Sequence, residues 1–181
     1  MAIERAATTG PWTWAVSAGE EDWDALYAEQ MPRVYNFFRY RVGPGAVAED
    51  LTSITFEKAW RARHRYRRDL AAFSTWLYTL ARNVAVDHFR QQRPHVPLEE
   101  AAELPGGPTP EELAERGSDV ERLRRLVEAL PGRERELLAL KYGAELTNRA
   151  ITRVTGLSES NVGTILHRTI QQLRAGWNKG E

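Results

Sequence analysis

The sequence predicts an all-α protein: two small helical domains joined by a flexible acidic linker, the second containing a helix-turn-helix. Three observations predict it. Apolar residues recur at steps of three and four on both sides of a central break, as they do in helices with one buried face. The break itself is punctuated by Pro94, Pro97, Pro105, Pro108 and Pro110, loosened by Gly106-Gly107 and loaded with acids, so it reads as a tether. Near the C-terminus, two helical patterns flank the tight turn Gly156-Leu157.

The boundaries follow: a flexible leader at 1–20, a first helical domain at 21–94, the linker at 95–118 and a second helical domain at 119–181. With 181 residues, 42% hydrophobic and 28% charged, the chain has the composition of a globular protein. It contains no cysteine, which removes disulfides, thiolate metal sites and thiol redox chemistry. His64, His88, His95 and His167 show no ligand spacing, and no cofactor is expected. No run approaches the ~18 apolar residues of a membrane span, and no basic-then-apolar leader opens the chain. A cytoplasmic protein without membrane insertion is expected.

In the leader, Thr8-Thr9-Gly10-Pro11 and two isolated tryptophans, Trp12 and Trp14, show no period; a flexible tail is expected, its tryptophans within reach of the first domain or a partner. Trp23, Leu26, Tyr27, Met31, Val34, Tyr35 and Phe38 then mark a helix that Pro32 would kink or divide. After the break Gly43-Pro44-Gly45, a second helix at 46–60 places Ala48, Leu51, Ile54, Thr55, Ala59 and Trp60 near one face. Glu49 and Asp50 sit in its first turn, where the helix dipole favours acids.

The chain is organised around 61–93. Arg61, Arg63, Arg65, Arg67 and Arg68 crowd a loop with Tyr66 among them and Asp69 as the single acid, a composition suited to phosphates and an unstacked base. A helix at Phe73–Gln92 follows, with Phe73, Trp76, Leu77, Leu80, Ala81 and Val84 on its apolar face and Arg82, Asn83, Asp87, Arg90, Gln91 and Arg93 left free on the other. An Arg-rich stretch beside an amphipathic helix is more often a plain solvated face, so the rest of the chain has to decide. The formal net charge of zero hides a segregation. Residues 61–93 hold eight Arg against two Asp, net +6, while 99–121 hold eight acids against one Arg, net −7.

A short helix at 110–116, capped by Thr109, fits within the linker. Beyond it, Val120, Leu123, Leu126, Val127 and Leu130 mark one helix, stopped by Pro131-Gly132. Leu137, Leu138, Leu140 and Tyr142 mark another, ended near Gly143. Asn148–Thr155 and 159–176 form the last pair, with Ser158 as N-cap and Ile151, Val154, Leu157, Val162, Ile165, Leu166, Ile170 and Leu173 as core. The outward residues of the final helix, Ser160, Asn161, Thr164, His167 and Arg168, suit phosphates and base edges in a major groove.

Three motifs in this order resemble the sigma-70 family of bacterial sigma factors, in its short extracytoplasmic-function (ECF) form, over 22–177. Glu49-Asp50-Leu51 through Phe56 to Trp60 is similar to the family's helix for the clamp of RNA polymerase; the run from Phe73 through Trp76, Arg82 and Asn83 to Asp87 and Arg90 is similar to the region that reads and melts the minus-10 element. Leu130-Pro131, Arg133, Glu134, Leu137-Leu138, then Gly156-Leu157-Ser158 to Asn161-Val162 and Leu166-His167-Arg168 are similar to the domain that reads the minus-35 element. The resemblance implies a transcription initiation factor with core polymerase, promoter DNA (duplex and melted strand) and an anti-sigma factor as partners. It implies polymerase contacts at Glu49, Asp50, Leu51, Ser53, Ile54 and Phe56; minus-10 contacts at Arg65, Tyr66, Arg67, Arg68, Arg82, Asn83, Asp87 and Arg90; and minus-35 contacts at Ser158, Ser160, Asn161, Thr164, His167 and Arg168. It also implies that the linker threads toward the polymerase's RNA exit path. The chain departs from the family's pattern at Ser53-Ile54, at Ala150 and at Gly163-Thr164-Ile165.

A stand-alone helix-turn-helix regulator explains the second domain and leaves the first without a task. A pure partner-binding module stays open. An enzyme is disfavoured, since no Gly-rich phosphate loop and no nucleophile with a nearby base occur.

Overall fold

The computed structural model describes residues 22–92 and 119–179, and every regular element among them is helical. The leader, the linker, the helix expected at 110–116 and Arg93 lie outside the described residues. Helix α1 (Trp23–Val42) begins where the Asp22 carboxylate accepts from the Ala25 N–H, and it runs through Pro32 as one helix. Helix α2 (Ala46–Arg61) follows the glycine break, which turns at Gly43 with φ 85° and Gly45 with φ 117°, conformations that glycine adopts without steric cost. A 3₁₀ turn (Arg63–Arg65) and a loop lead into α3 (Phe73–Gln92), at the bounds the sequence predicts.

In the second half, α4 (Asp119–Glu128) and α5 (Gly132–Leu138) precede a π-helical turn (Ala139–Gly143) that periodicity does not anticipate. The Ala144 N–H donates to the Ala139 carbonyl at 2.9 Å, the i→i−5 bond of a π turn. The chain then reverses at Glu145, whose φ of 57° is unusual for a residue with a side chain. Helices α6 (Asn148–Thr155) and α7 (Glu159–Asn178) complete the fold.

The largest difference from expectation is that the two helical units share one core. Val34, Phe37, Phe38, Leu77 and Tyr78 of the first unit and Leu137, Ala139, Leu140, Ile151 and Val162 of the second belong to a single buried cluster. The π turn lies against α1, and α6 lies against α3. A Cβ on Gly143 would stand 3.0 Å from the Asn36 carbonyl and the Phe37 Cα, so the backbones nearly touch and only glycine fits. Polar ties reinforce the contact. Arg41, buried and drawn below its usual pKa by desolvation, donates to the Gly132 carbonyl at 2.7 Å and lies over the Phe89 ring. Arg33 pairs with Glu145 at 3.1 Å.

This packing redistributes the expected core. Because α1 is covered on a second side, Phe37 and Arg41 are buried while Tyr27 and Met31 are exposed. Tyr78 is fully buried, which pushes its phenol pKa up, and Ile54 is turned out with 39% of its surface exposed. On α4, Val120 and Leu123 are exposed, whereas Val127 and Leu130 are buried against Leu138. Tyr142, on the π turn, is exposed as well.

Gly143→Ala is expected to destabilise the protein by about 1–3 kcal/mol, the usual cost of inserting a group where backbone cannot yield. Scattering should show the two units separating, measured as a rise in radius of gyration beside a lowered Tm. An unchanged Tm would mean that the close approach does not form in solution.

Candidate nucleic-acid and polymerase interface

Along α2, Glu49, Asp50, Ser53 and Ile54 are exposed. The Ser53 hydroxyl donates to the Glu49 carbonyl at 3.0 Å, a local bond that leaves its oxygen at the surface. Two members of this set behave otherwise. Leu51, at 5% exposure, belongs to the core and supports the helix from beneath. Phe56 is half-buried, its ring edge-on to Tyr27 with centroids 4.6 Å apart.

The basic stretch is more ordered than its composition suggests. The Tyr66 ring packs on Phe73 and Trp76 at 5.5 and 5.3 Å, and its hydroxyl donates to the Ala71 carbonyl at 3.3 Å. The loop is thereby pinned to the start of α3. Arg67 grips Asp69 through two bonds of 2.9 and 2.8 Å, which hold the Asp69 carboxyl below its usual pKa. Arg65 and Arg68 stand exposed on the loop. Asn83 and Arg90 are exposed on the outer face of α3.

Arg82 and Asp87, expected to be free, are engaged. Arg82 Nε donates to the Glu136 carboxylate of α5 at 2.9 Å, with the acid's side chain only 13% exposed. Asp87 accepts from Arg90 at 3.1 Å and lies 3.8 Å from the Lys58 ammonium. Sequence reasoning missed Glu136 because it is far from Arg82 in the chain and only the fold joins them, whereas the i, i+3 spacing of Asp87 and Arg90 was visible and passed over.

The C-terminal helix pair carries its candidates as expected. Thr147 caps α6 by accepting from the Ala150 N–H at 3.1 Å, Gly156 turns the chain with φ 76°, and Ser158 caps α7 by accepting from the Asn161 N–H at 3.2 Å. Ile151, Val154, Val162 and Leu166 are buried between the helices. Ser158, Ser160, Asn161, Thr164, His167 and Arg168 all remain exposed along the N-terminal half of α7, and at Ser158 to Asn161 the helix dipole also favours phosphate. Arg149 and Arg153, one turn apart and exposed on α6, add positive charge that sequence reasoning passed over although their i, i+4 spacing was visible. Among the described residues there is no cluster of metal-ligating side chains and no helix long and apolar enough to cross a membrane.

These features define an all-helical DNA-binding protein of two units, one bearing a helix-turn-helix and one a basic loop fixed to an amphipathic helix. The family models of Sigma-70 region 2 and Sigma-70, region 4 match residues 26–95 and 120–173. The sigma factor SigM of Bacillus subtilis is 30% identical over 160 residues, covering 87% of this chain and 96% of that protein. CarQ of Myxococcus xanthus is 33% identical over 158 residues, covering 86% and 88%. BldN of Streptomyces coelicolor is 31% identical over 160 residues, and there the match spans 86% of this chain and only 61% of the relative. In fold, the chain is similar to the sigma factor RpoE of Bartonella quintana, solved with the anti-sigma factor NepR, at TM-score 0.67 and 20% identity over 87% of this chain and 97% of that one. It is also similar to CnrH, solved with the cytosolic domain of CnrY, at TM-score 0.61 and 19% identity over 88% and 87%. The chain belongs to the sigma-70 family as a sigma factor of the ECF type, a transcription initiation factor that directs RNA polymerase to promoters.

Ser158→Ala is expected to cost about 1 kcal/mol, the usual worth of an N-cap, read as a lowered Tm. Arg168→Ala, at an exposed position, should leave Tm alone and make the salt dependence of DNA binding shallower by about one unit if it neutralises one phosphate. An unaltered salt slope would remove Arg168 from the phosphate contacts.

Proposed function

We propose that residues 21–94 hold core polymerase and the minus-10 element, that 119–181 read the minus-35 element, and that 95–118 tether the two. The observation that carries this reading is the single exposed set on α7, Ser158 to Arg168, presented by a capped helix behind a left-handed glycine turn. A helix so presented enters a major groove with its N-terminal residues at the base edges, while the preceding helix, here with Arg149 and Arg153, crosses the phosphates. Asn161, Thr164 and His167 are the base-reading candidates and Arg168 a phosphate contact.

On the first unit, polymerase docks on the exposed edge of α2 at Glu49, Asp50, Ser53 and Ile54. The melted minus-10 strand lies along Asn83 and Arg90 of α3 and the Arg65 to Arg68 side of the loop. Unpairing a base costs on the order of a few kcal/mol, which backbone contacts and a held base offset. Tyr66 positions that loop from beneath. The assigned roles are binding and positioning, with no catalysis by this chain, and the protein acts in the cytoplasm beside polymerase.

The compact arrangement is a resting form. The two promoter elements lie about 25 base pairs apart, or roughly 85 Å at ~3.4 Å per pair. A compact body of about 130 residues has a radius of gyration near ~14 Å. It cannot reach both elements closed, so initiation requires α1 and the π turn to part, which also releases Arg82 from Glu136. Because RpoE was solved with the anti-sigma factor NepR, an anti-sigma protein is the natural agent to act on this equilibrium.

Asp50→Ala with Ile54→Ala, both at exposed positions, is expected to weaken core-polymerase binding on the order of tenfold, about 1.4 kcal/mol, with unchanged circular dichroism. Asn83→Ala should impair open-complex formation on a matched promoter more than on one whose minus-10 segment is already mismatched, because unpairing is then done in advance. Permanganate footprinting on both templates reads the difference. Equal defects on the two would leave α3 an electrostatic surface only.

A further inference from the structure

The seam between the two units holds a polar group that its packing does not satisfy. The Tyr78 ring of α3 lies edge to face with Phe37 of α1, centroids 5.9 Å apart, and the side chain is fully buried. Its hydroxyl meets no hydrogen-bonding group of the protein. Elsewhere the fold settles buried hydroxyls locally. Those of Thr52, Thr55 and Thr169 each donate to the carbonyl one turn back, at 2.7, 2.8 and 2.8 Å. A tyrosine cannot do the same, because its ring carries the hydroxyl far from its own backbone.

The surroundings show where this hydroxyl lies. The charges that act on it are Arg33 of α1 and Glu145 just beyond the π turn. These two pair across the seam at 3.1 Å while their side chains stay 40% and 62% exposed. The phenol therefore sits behind an ion pair that parts when the units part. Glu145 holds its place with φ at 57°, a conformation that is costly for a residue with a Cβ. Two turns further along α1, Arg41 repeats the pattern. Its Nη1 donates to the Gly132 carbonyl, while its buried Nε has no partner in the protein. Closing leaves both groups dry, and opening returns them to water. A buried polar group without a partner costs more than a typical hydrogen bond contributes.

We propose that the Tyr78 hydroxyl is a built-in weakness of the seam, which keeps the closed form close enough in free energy to the open one for a partner to separate the units. This inference rests on the reading of the compact arrangement as a resting form. Phenylalanine would fill the same space with no polar atom to desolvate, so the hydroxyl subtracts from the packing of the closed form. In the open form water solvates it, and its cost falls on the closed state alone. A ligand that needs the open state binds with an affinity reduced by the open fraction. While the closed form dominates, tighter closing therefore weakens polymerase binding by the same factor.

The test is Tyr78→Phe in the full chain, read by single-molecule energy transfer between dyes on Ala28→Cys of α1 and Gln172→Cys of α7. The chain has no cysteine of its own, and both positions are exposed. The native protein is expected to show a compact majority and an extended minority. Tyr78→Phe should cut the ratio of extended to compact molecules about tenfold, the equivalent of about 1.4 kcal/mol, raise Tm, and weaken core-polymerase binding by the same factor. Gly143→Ala should move the ratio the other way. Two populations whose ratio Tyr78→Phe leaves in place would overturn the proposal while the resting form stands. So would a shift toward the extended form, which would mean that the hydroxyl makes a bond holding the units together. A single compact population, unchanged when core polymerase binds, would remove the resting form and this inference with it.

Discussion

Where Gly143 meets the backbone of Asn36 and Phe37, two chain segments approach as closely as peptide groups allow, and the rest of the architecture depends on that approach. It brings Leu137 and Leu140, both fully buried, onto Val34 and Phe37, and so fuses what would be two small cores into one. Each such side chain contributes about 1.5–3 kcal/mol when removed from water. The first unit alone is near the size at which a helical domain is marginal. Sharing a core therefore stabilises both units at rest. The π turn is what makes the approach feasible, because its wider winding carries Gly143 to the α1 side before Glu145 reverses the chain.

The polar contacts across this seam are unequal. Arg41 is held by burial and a charge-assisted bond to the Gly132 carbonyl, and losing that bond would strand a desolvated cation. Arg33 with Glu145 is more exposed and contributes little by itself. Arg82 with Glu136 is intermediate and different in kind, because Arg82 has a second use on melted DNA in the function proposed above. In that proposed function the closed form occupies one cation of the minus-10 surface while the exposed residues of α7 are untouched.

The helices were legible from their periods, and the start of the last one from its Ser158 cap. Ser158 accepts the N–H three residues on and Gly156 adopts the left-handed turn, while Asp22 and Thr147, not singled out in the sequence, cap α1 and α6 in the same way, all through chemistry within a few residues. The exposed face of α7 was legible for the same reason: a long helix with one apolar stripe leaves its remaining residues outside. The errors cluster where a second unit covers the first. Tyr27 and Met31 fit the stripe of α1, yet Phe37 and Arg41 are buried in its place, because the side facing the π turn is invisible to a pattern that assumes one buried face.

By itself, then, the sequence determined the all-helical class, the helix-turn-helix, the segregation of charge and, through three motifs in order, the family. Those are set by local periodicity, turn chemistry and short-range spacing. Only the tertiary structure decided that the two units close on one core, that Arg82 rests on Glu136, that Tyr66 packs on Phe73 and Trp76 and that five rings leave a cleft at the start of α1. Contacts such as these join residues remote in the chain, and no local preference specifies which of several apolar or charged partners a side chain meets until the backbone has folded.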